Sequence, residues 1–192
     1  MAPGQTLKTD KGSDIMDIRR IQQEDFDRVM EIYEYAREFM AAHGNPNQWG
    51  PTKWPSAERI QQDIEEGTGF VVENGGRVIA HFGFVWGPDP TYLNIEDGEW
   101  LDDSQYAVVH RMAGDGSVRG IGKFILDWAY EKSGGHLRID THGDNTVMQN
   151  LMAKEGFIPC GTIYVEEDDF PRIAYEKSKT AYQKAGYVCG IS

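Results

Sequence analysis

The chain has 192 residues, 40% of them hydrophobic, which is about one domain's worth of sequence with enough apolar content for a core. Thirty-one acidic residues stand against 19 basic ones, a formal charge of −12, which argues against a nucleic-acid partner and against attachment to anionic lipid, and suits a cationic or amine substrate better. No apolar run reaches the ~18 residues of a membrane span, because Val78–Trp86 is interrupted by His81 and Gly83. Cys160 and Cys189 give neither a disulfide framework nor metal-ligand spacing, so a cytoplasmic protein without a metal is expected.

In chain order, residues 1–15 are polar and aperiodic, and read as a disordered leader, a cloning remnant or the product of an upstream start codon. Asp17–Ile21 predicts a strand. From Glu24 a helix follows, with Phe26, Val29, Met30, Tyr33, Ala36 and Met40 on one face, stopped by the run from His43 to Pro46. Asn47–Trp54 reads as a loop. Ser56 is the N-cap of a second helix, Ala57–Glu66, which Gly67 ends. Phe70–Glu73 and Arg77–Trp86 form a hairpin around Asn74, Gly75 and Gly76.

Gly87–Ser104 reads as an acidic loop and Tyr106–Met112 as a strand that runs into a glycine-rich loop. Arg119–Lys132 is a helix, Leu137–Thr141 a strand, and a helix capped by Asp144 or Asn145 runs to Lys154 with Gly156 as its stop. Phe157–Val165 and Pro171–Glu176 close the domain as strands, and 178–192 is a polar tail. Together these predict one α/β domain over residues 16–177, without internal repeats.

The segment His110–Lys123 carries the chemistry. A glycine-rich turn from a strand into a helix lets backbone N–H groups converge, and the helix start adds unpaired donors and the positive end of the dipole, a setting for a phosphate or pyrophosphate. It is not a P-loop, because no Gly-Lys-Ser/Thr ends it, and it lacks the dinucleotide fingerprint. Gly120-Ile121-Gly122 after Ser117 resembles the cofactor motif of the GNAT superfamily of acetyl-CoA-dependent N-acetyltransferases. Asn145 followed by a helix and Gly156-Phe157 resembles a second block of that family, and Gly161–Tyr164 with Pro171–Lys177 resembles its last two strands.

The resemblance implies a mixed, mostly antiparallel central sheet flanked by helices, with acetyl-CoA as cosubstrate. It places the pyrophosphate on the backbone of Val118, Arg119, Gly120, Ile121, Gly122 and Lys123, the pantetheine along Met112, Ala113 and Gly114, and Asn145 near the thioester arm. Two positions depart from the family pattern. Ser117 stands where Gln or Arg is usual, with Arg119 as the substitute cation, and Met152 stands where many members carry the tyrosine that protonates the departing thiolate.

Transfer to nitrogen needs a neutral amine, so a base or water chain must take its proton. Candidates for the proton path are His110, Glu99 and Tyr164, with His142, Glu96 and Tyr175 weighed beside them; each has a structural alternative, as a packed, solvated or turn-capping residue. Cys160 has no adjacent His or Asn to make it a nucleophile. In the family, the first two helices and the loop between them cover the acceptor, so Trp49 and Trp54 are the candidate acceptor walls, or else they pack that loop onto the sheet. The expected activity is acetylation of the primary amine of a small or amino-acid-like acceptor through a ternary complex. The alternatives are a non-catalytic acyl-CoA sensor and an acetyltransferase for protein N-termini or lysines. Neither nucleic acid nor membrane is an expected partner, and a homodimer is left open.

Overall fold

Hydrophobic spacing and end signals account for the helices. In this computed structural model, which describes residues 7–8, 15–166 and 168–184, α1 spans Phe26–Ala42 after a 3-10 turn at Gln23–Asp25 and buries Val29, Ile32 and Tyr33. Helix α2, Ala57–Glu66, has the expected ends: the Ser56 side chain accepts from Arg59 N–H at 3.2 Å, and Gly67 caps it at φ 67°. Helix α3 is Ile121–Lys132, and α4 is Thr146–Lys154. A short α5, Lys179–Lys184, begins the stretch read as a tail.

The strands are β1 (Leu7–Lys8), β2 (Ile15–Arg20), β3 (Gly69–Asn74), β4 (Arg77–Trp86), β5 (Ala107–Gly114), β6 (His136–His142), β7 (Ile158–Tyr164) and β8 (Pro171–Ser178). Inside the segment read as a leader, β1 pairs antiparallel with β2 through Leu7–Met16 and Lys8–Ile15. Ala113 and Gly114, expected to open the glycine loop, instead continue β5. The reason is local: Asp115 N–H still donates to the Ile79 carbonyl at 2.9 Å, so the extended backbone holds its partner to the strand's end.

The chain divides into two compact units. The first comprises Met1–Phe84 and His110–Trp128, the second Val85–Val109 and Ala129–Ser192. In the first, β1, β2, β3 and β4 lie side by side, each pair antiparallel. Its core joins Val29, Ile32 and Tyr33 of α1 and Ile60 of α2 to Val71, Val78 and Ala113. In the second, the order is β5, β6, β8, β7. There β5 and β6 are parallel through Ala107–Leu137 and Val108–Arg138, and the other pairs are antiparallel. Its core gathers Tyr92, Tyr106, Val108, Ile163 and Ala174. The fold is therefore α/β with mostly antiparallel strands, as expected. Among the described residues, no helix is long and apolar enough to cross a membrane.

Candidate functional site

The turn between β5 and α3 lies within the first unit. Asp115 organises it: its Oδ1 accepts from the Ser117 N–H at 2.9 Å and from the Ser117 hydroxyl. The other oxygen receives Arg28 and, at 3.1 Å, Arg77. A bare carboxylate beside an anion site would repel the anion, and the two guanidinium groups offset that charge. Gly116 has φ 75°, and a Cβ there would collide with the Tyr35 hydroxyl oxygen. Gly120 has φ 82° with nothing within 4 Å of an added Cβ, so backbone conformation and not space selects glycine.

Helix α3 makes its first in-helix bond from Phe124 N–H to Gly120 O at 3.1 Å. The N–H groups of Ile121, Gly122 and Lys123 precede that bond and belong to the donor-rich end of the helix. Arg119, Gly120 and Lys123 are exposed, and Lys123 pairs with Asp127 at 3.0 Å. Donors at an open helix start, a left-handed glycine and a neutralised carboxylate fit a pyrophosphate. Met112, Ala113 and Gly114 lead directly into this turn on β5; Met112 and Gly114 are half-buried and Ala113 is buried.

Asn145 has a definite local task. It is the N-cap of α4, its side-chain oxygen accepting from Met148 N–H at 3.1 Å. Met152, the departure from the family tyrosine, is 1% exposed, so its thioether fills core.

The first unit also holds a buried polar cluster that hydrophobic patterning does not reveal. Arg111, in the middle of β5, has φ 53°, a conformation rare for a residue with a Cβ. Three anchors fix it. The Tyr33 hydroxyl donates to the Arg111 carbonyl at 2.7 Å, and the Arg111 guanidinium reaches Asp63 at 2.7 and 2.9 Å. Gly83 admits that side chain, since a Cβ there would lie 2.6 Å from Arg111 Nη2. Asp63 is fully buried and also receives Arg59 at 2.7 Å and the Thr68 hydroxyl at 3.2 Å.

Tyr33 Oη lies 2.6 Å from His81 Nδ1. The tyrosine's one proton goes to the Arg111 carbonyl, so Nδ1 of His81 carries the proton of that contact, an assignment made from the hydrogen-bond network. Burial drives the His81 pKa down to about 3, with Asp63 opposing and Arg111 reinforcing the shift. The same burial pushes the Tyr33 hydroxyl far above its ordinary value.

The left-handed Arg111 alters the side on which His110 lies relative to Met112. Regular alternation would set His110 and Met112 on one face, but the alternation is interrupted between them. His110 is half-buried in the first unit, its Cβ 3.4 Å from where a Cβ on Gly83 would stand. Glu99 and Tyr164 belong to the second unit. Glu99 is exposed, its N–H bonded to the Cys160 carbonyl at 3.0 Å, and Tyr164 is 52% exposed at the end of β7. His142 accepts the Asp144 N–H on Nδ1 at 3.1 Å and so caps its turn; burial and then Arg172 lower its pKa. Burial, then Glu176, pushes the Cys160 thiol up to about 12.

In the acceptor-side loop, Trp49 packs edge-on against Tyr33, centroids 5.8 Å apart, at the margin of the first core. It has φ 64°. Trp54 is half-buried, its N–H bonded to Trp49 O at 3.1 Å and its carbonyl to Arg37 at 3.4 Å. The loop is braced by Asn45 Nδ2 donating to Gln48 Oε1 at 2.8 Å. Trp49 thus contacts α1 through Tyr33, and Trp54 closes the loop through its backbone. Two members of the buried cluster carry a sequence signal, Asp63 on the helix face of Ile60 and Ile64 and His81 inside an apolar strand, but nothing in the sequence joins them to Tyr33 and Arg111.

No family model and no curated protein matches the chain by sequence. Solved structures match it in fold. An acetyltransferase of the GNAT family from Streptococcus agalactiae is 31% identical, with a TM-score of 0.76 over 85% of this chain and 95% of that one. The PaiA N-acetyltransferase of Thermoplasma acidophilum, in complex with coenzyme A, is 18% identical, with a TM-score of 0.59 over 85% and 98%. A Salmonella typhimurium protein with its cofactor acetyl-CoA is 14% identical, with a TM-score of 0.53 over 84% and 92%.

Proposed function

The chain belongs to the GNAT family of acetyltransferases, and from that premise we propose that it transfers an acetyl group from acetyl-CoA to the primary amine of a small, amino-acid-like acceptor by direct attack within a ternary complex. The observation that carries the reading is the turn from β5 into α3. Its left-handed Gly120, the N–H groups of Ile121 and Gly122 and the neutralised Asp115 together suit a diphosphate. Coenzyme A accompanies one of the fold relatives and acetyl-CoA another, which supports acetyl-CoA as the cosubstrate here.

When bound, acetyl-CoA supplies an acyl carbon activated by a thiolate leaving group. The chain's part is to bind, orient and move protons. Val118–Lys123 hold the diphosphate through backbone N–H groups, and the backbone of Met112–Gly114 aligns the pantetheine amides. An alkylammonium acceptor has to lose a proton before attack, and His110 on the same strand takes it, directly or through a water. Tyr164 and Glu99 are the other groups proposed for the proton path. A thiol of ordinary acidity leaves without a strong acid, which suits a chain with a buried methionine at position 152. The formal charge of −12 favours the approach of a cationic acceptor.

The test is free-thiol release from acetyl-CoA across a panel of small amines, amino acids and peptides. Release with small amines supports the reading, and release with peptides alone replaces it by protein acetylation. In parallel, coenzyme A at about 100-fold over its Kd should stabilise the fold by about 2.7 kcal/mol. Gly120→Val forces a β-branched residue into φ 82° and should abolish that gain in a folded protein. An unchanged gain would remove the turn from the site.

A further inference from the structure

In the second unit, β6 and β8 pair so that Arg138 faces Glu176 and His136 faces Ser178. The pairing gathers a set of polar groups that acetyl transfer to amines does not use. Glu176 is fully buried. One of its oxygens, Oε1, contacts His136 Nε2 and lies 3.4 Å from Arg138 Nε; the other accepts the Leu101 N–H at 2.6 Å. On the far side of the imidazole, His136 Nδ1 lies 3.0 Å from the hydroxyl of Ser104. His136 is 5% exposed, whereas Ser104 is exposed. The result is a surface serine backed by a buried imidazole, itself backed by a buried carboxylate.

The hydrogen-bond network assigns the protons. Glu176 takes donors from Arg138 and Leu101, so it acts as an acceptor, and the His136 proton sits on Nε2. The lone pair on Nδ1 then faces the serine hydroxyl. A nucleophile within hydrogen-bond reach of a base that a third group orients is the arrangement an activated serine requires. The familiar serine triad uses Nε2 toward the serine and Nδ1 toward the acid; here the two nitrogens exchange places. Imidazole is tautomeric, and whichever ring nitrogen lacks the proton carries a lone pair in the ring plane, so either nitrogen can serve as the base.

The serine is held rather than loose. Ser104 N–H donates to Asp102 Oδ1 at 2.9 Å, the Ser104 hydroxyl also bonds to the Asp102 carboxylate, and the other oxygen of Asp102 accepts from the Ser178 hydroxyl at 2.7 Å. The Asp102 carbonyl accepts from Arg138 Nη2 at 2.8 Å. Arg138 is itself clamped between the rings of Trp100 and Tyr106, 4.1 and 3.9 Å from their centroids. The loop from Trp100 to Tyr106 is therefore fastened on both sides of the serine to buried charge.

We infer that Ser104, His136 and Glu176 form a second acyl-transfer site, with Ser104 as nucleophile, His136 as general base and Glu176 as the positioning carboxylate, acting on small activated acyl esters. Ser104 Oγ bonds to the ester carbonyl carbon while its proton passes to His136 Nδ1. The bond from that carbon to the leaving oxygen breaks, and the leaving alcohol or phenol takes the proton. Water then attacks acyl-Ser104 with His136 again as base, releasing the carboxylic acid and restoring the serine. The sum is ester plus water giving acid plus alcohol, with no further reactant.

The probe is p-nitrophenyl acetate, with p-nitrophenolate release followed by absorbance and the acetylated position found by peptide mass spectrometry. The full chain should release phenolate in an early burst and carry the acetyl group on the peptide containing Ser104. Ser104→Ala should remove both at an unchanged melting temperature, while Ser104→Cys, which keeps a nucleophile, should still be acylated. His136→Gln should slow acylation about 10²–10⁴-fold. Should His136→Gln fail to fold, a fluorophosphonate reagent settles the same question by labelling Ser104 in the unaltered chain and leaving Ser104→Ala unlabelled. Equal burst and equal labelling in Ser104→Ala, or acetyl groups on lysines alone, would overturn the inference.

Discussion

His81 on β4 and His136 on β6 are both withdrawn from solvent, at 0% and 5% exposure, and both contact a hydroxyl group. They are arranged in opposite senses. His81 gives its Nδ1 proton to Tyr33, a hydroxyl as deeply buried as itself, and its Nε2 packs near Gly69, where an added Cβ would stand 2.9 Å away. That nitrogen has no hydrogen-bond partner among the described residues. His136 gives its Nε2 proton inward to Glu176 and turns its lone pair outward, to a serine that water and small molecules can reach. Burial alone does not make a histidine reactive. What matters is whether the lone pair or the proton faces the surface, and the residue behind the ring decides that. A tyrosine that spends its proton on a backbone carbonyl seals the first cluster; a carboxylate that only accepts opens the second.

The strongest way to break this contrast is to remove the charge that holds the sealed cluster. Asp63→Ala leaves the Arg111 guanidinium, 11% exposed, without its carboxylate, and strips Arg59 of one of its two acidic partners. Losing one member of a buried pair costs about 3–5 kcal/mol. Urea denaturation should show a loss of that size with an unchanged m-value. A loss under about 1 kcal/mol would mean that water reaches the cluster and that the sealing argument is wrong.

The first cluster is hard to see in sequence for a physical reason. Helix α2 was legible to the residue, because Ser56 and Gly67 act within one turn of its ends and nothing distant overrides them. The hairpin of β3 and β4 was legible for the same reason, and so was the start of α4, with Asp144 or Asn145 as its cap; the structure selects Asn145. The kink of β5 was not. Positive φ at a non-glycine residue has no local signature, and Arg111 holds it through Tyr33 and Asp63, 78 and 48 positions away in sequence. The serine site hides behind distance too. Ser104, His136 and Glu176 are joined only once β6 and β8 pair in their particular register, which hydrophobic patterning leaves open. The turn proposed for the cofactor stands out because its chemistry is backbone chemistry, carried by glycines close together in sequence. The residues proposed for the proton path are side chains from different elements, which no local sequence signal groups together.

Acid sharpens the contrast without altering a contact. Burial holds the His81 pKa at about 3 against 6.5 for an ordinary histidine. Between those values the unfolded chain binds a proton that the folded chain does not. Stability therefore falls as pH drops below about 6.5, with a slope of up to about 1.4 kcal/mol per pH unit, and the effect is absent above that range. Asp25, Asp102 and Asp168 have depressed pKa values and add acid sensitivity of the same sign, each through hydrogen bonds that oppose its desolvation. His81→Gln leaves the hydrogen bonds of those three in place and takes from Asp25 only the smallest of its causes, the charge of His81. The difference in denaturation free energy between the two proteins, followed from pH 7 to about pH 4, isolates the imidazole. The variant should show the shallower slope; parallel curves would mean that His81 takes up a proton in the folded state as readily as in the unfolded one.

The smallest expected effect falls on the open cluster. Ser104→Ala removes a hydroxyl from an exposed residue whose backbone N–H remains bonded to Asp102. The charges behind it keep their partners: Glu176 still accepts from Arg138, Leu101 and His136, and Asp102 still accepts from Ser178. His136 Nδ1 loses a contact, and Asp102 loses the Ser104 hydroxyl while keeping the Ser104 N–H and the Ser178 hydroxyl. Because that nitrogen faces an exposed position, water can replace the serine there at little cost. The change in stability should stay within about 0.5 kcal/mol, the usual range for a surface substitution. Thermal and urea denaturation of the variant beside the unaltered chain measure it directly. A loss of about 1–3 kcal/mol, the cost of stranding a buried polar atom, would show that the serine seals His136 as Tyr33 seals His81. The two clusters would then be alike, and the lone pair of His136 would be as far out of reach as that of His81.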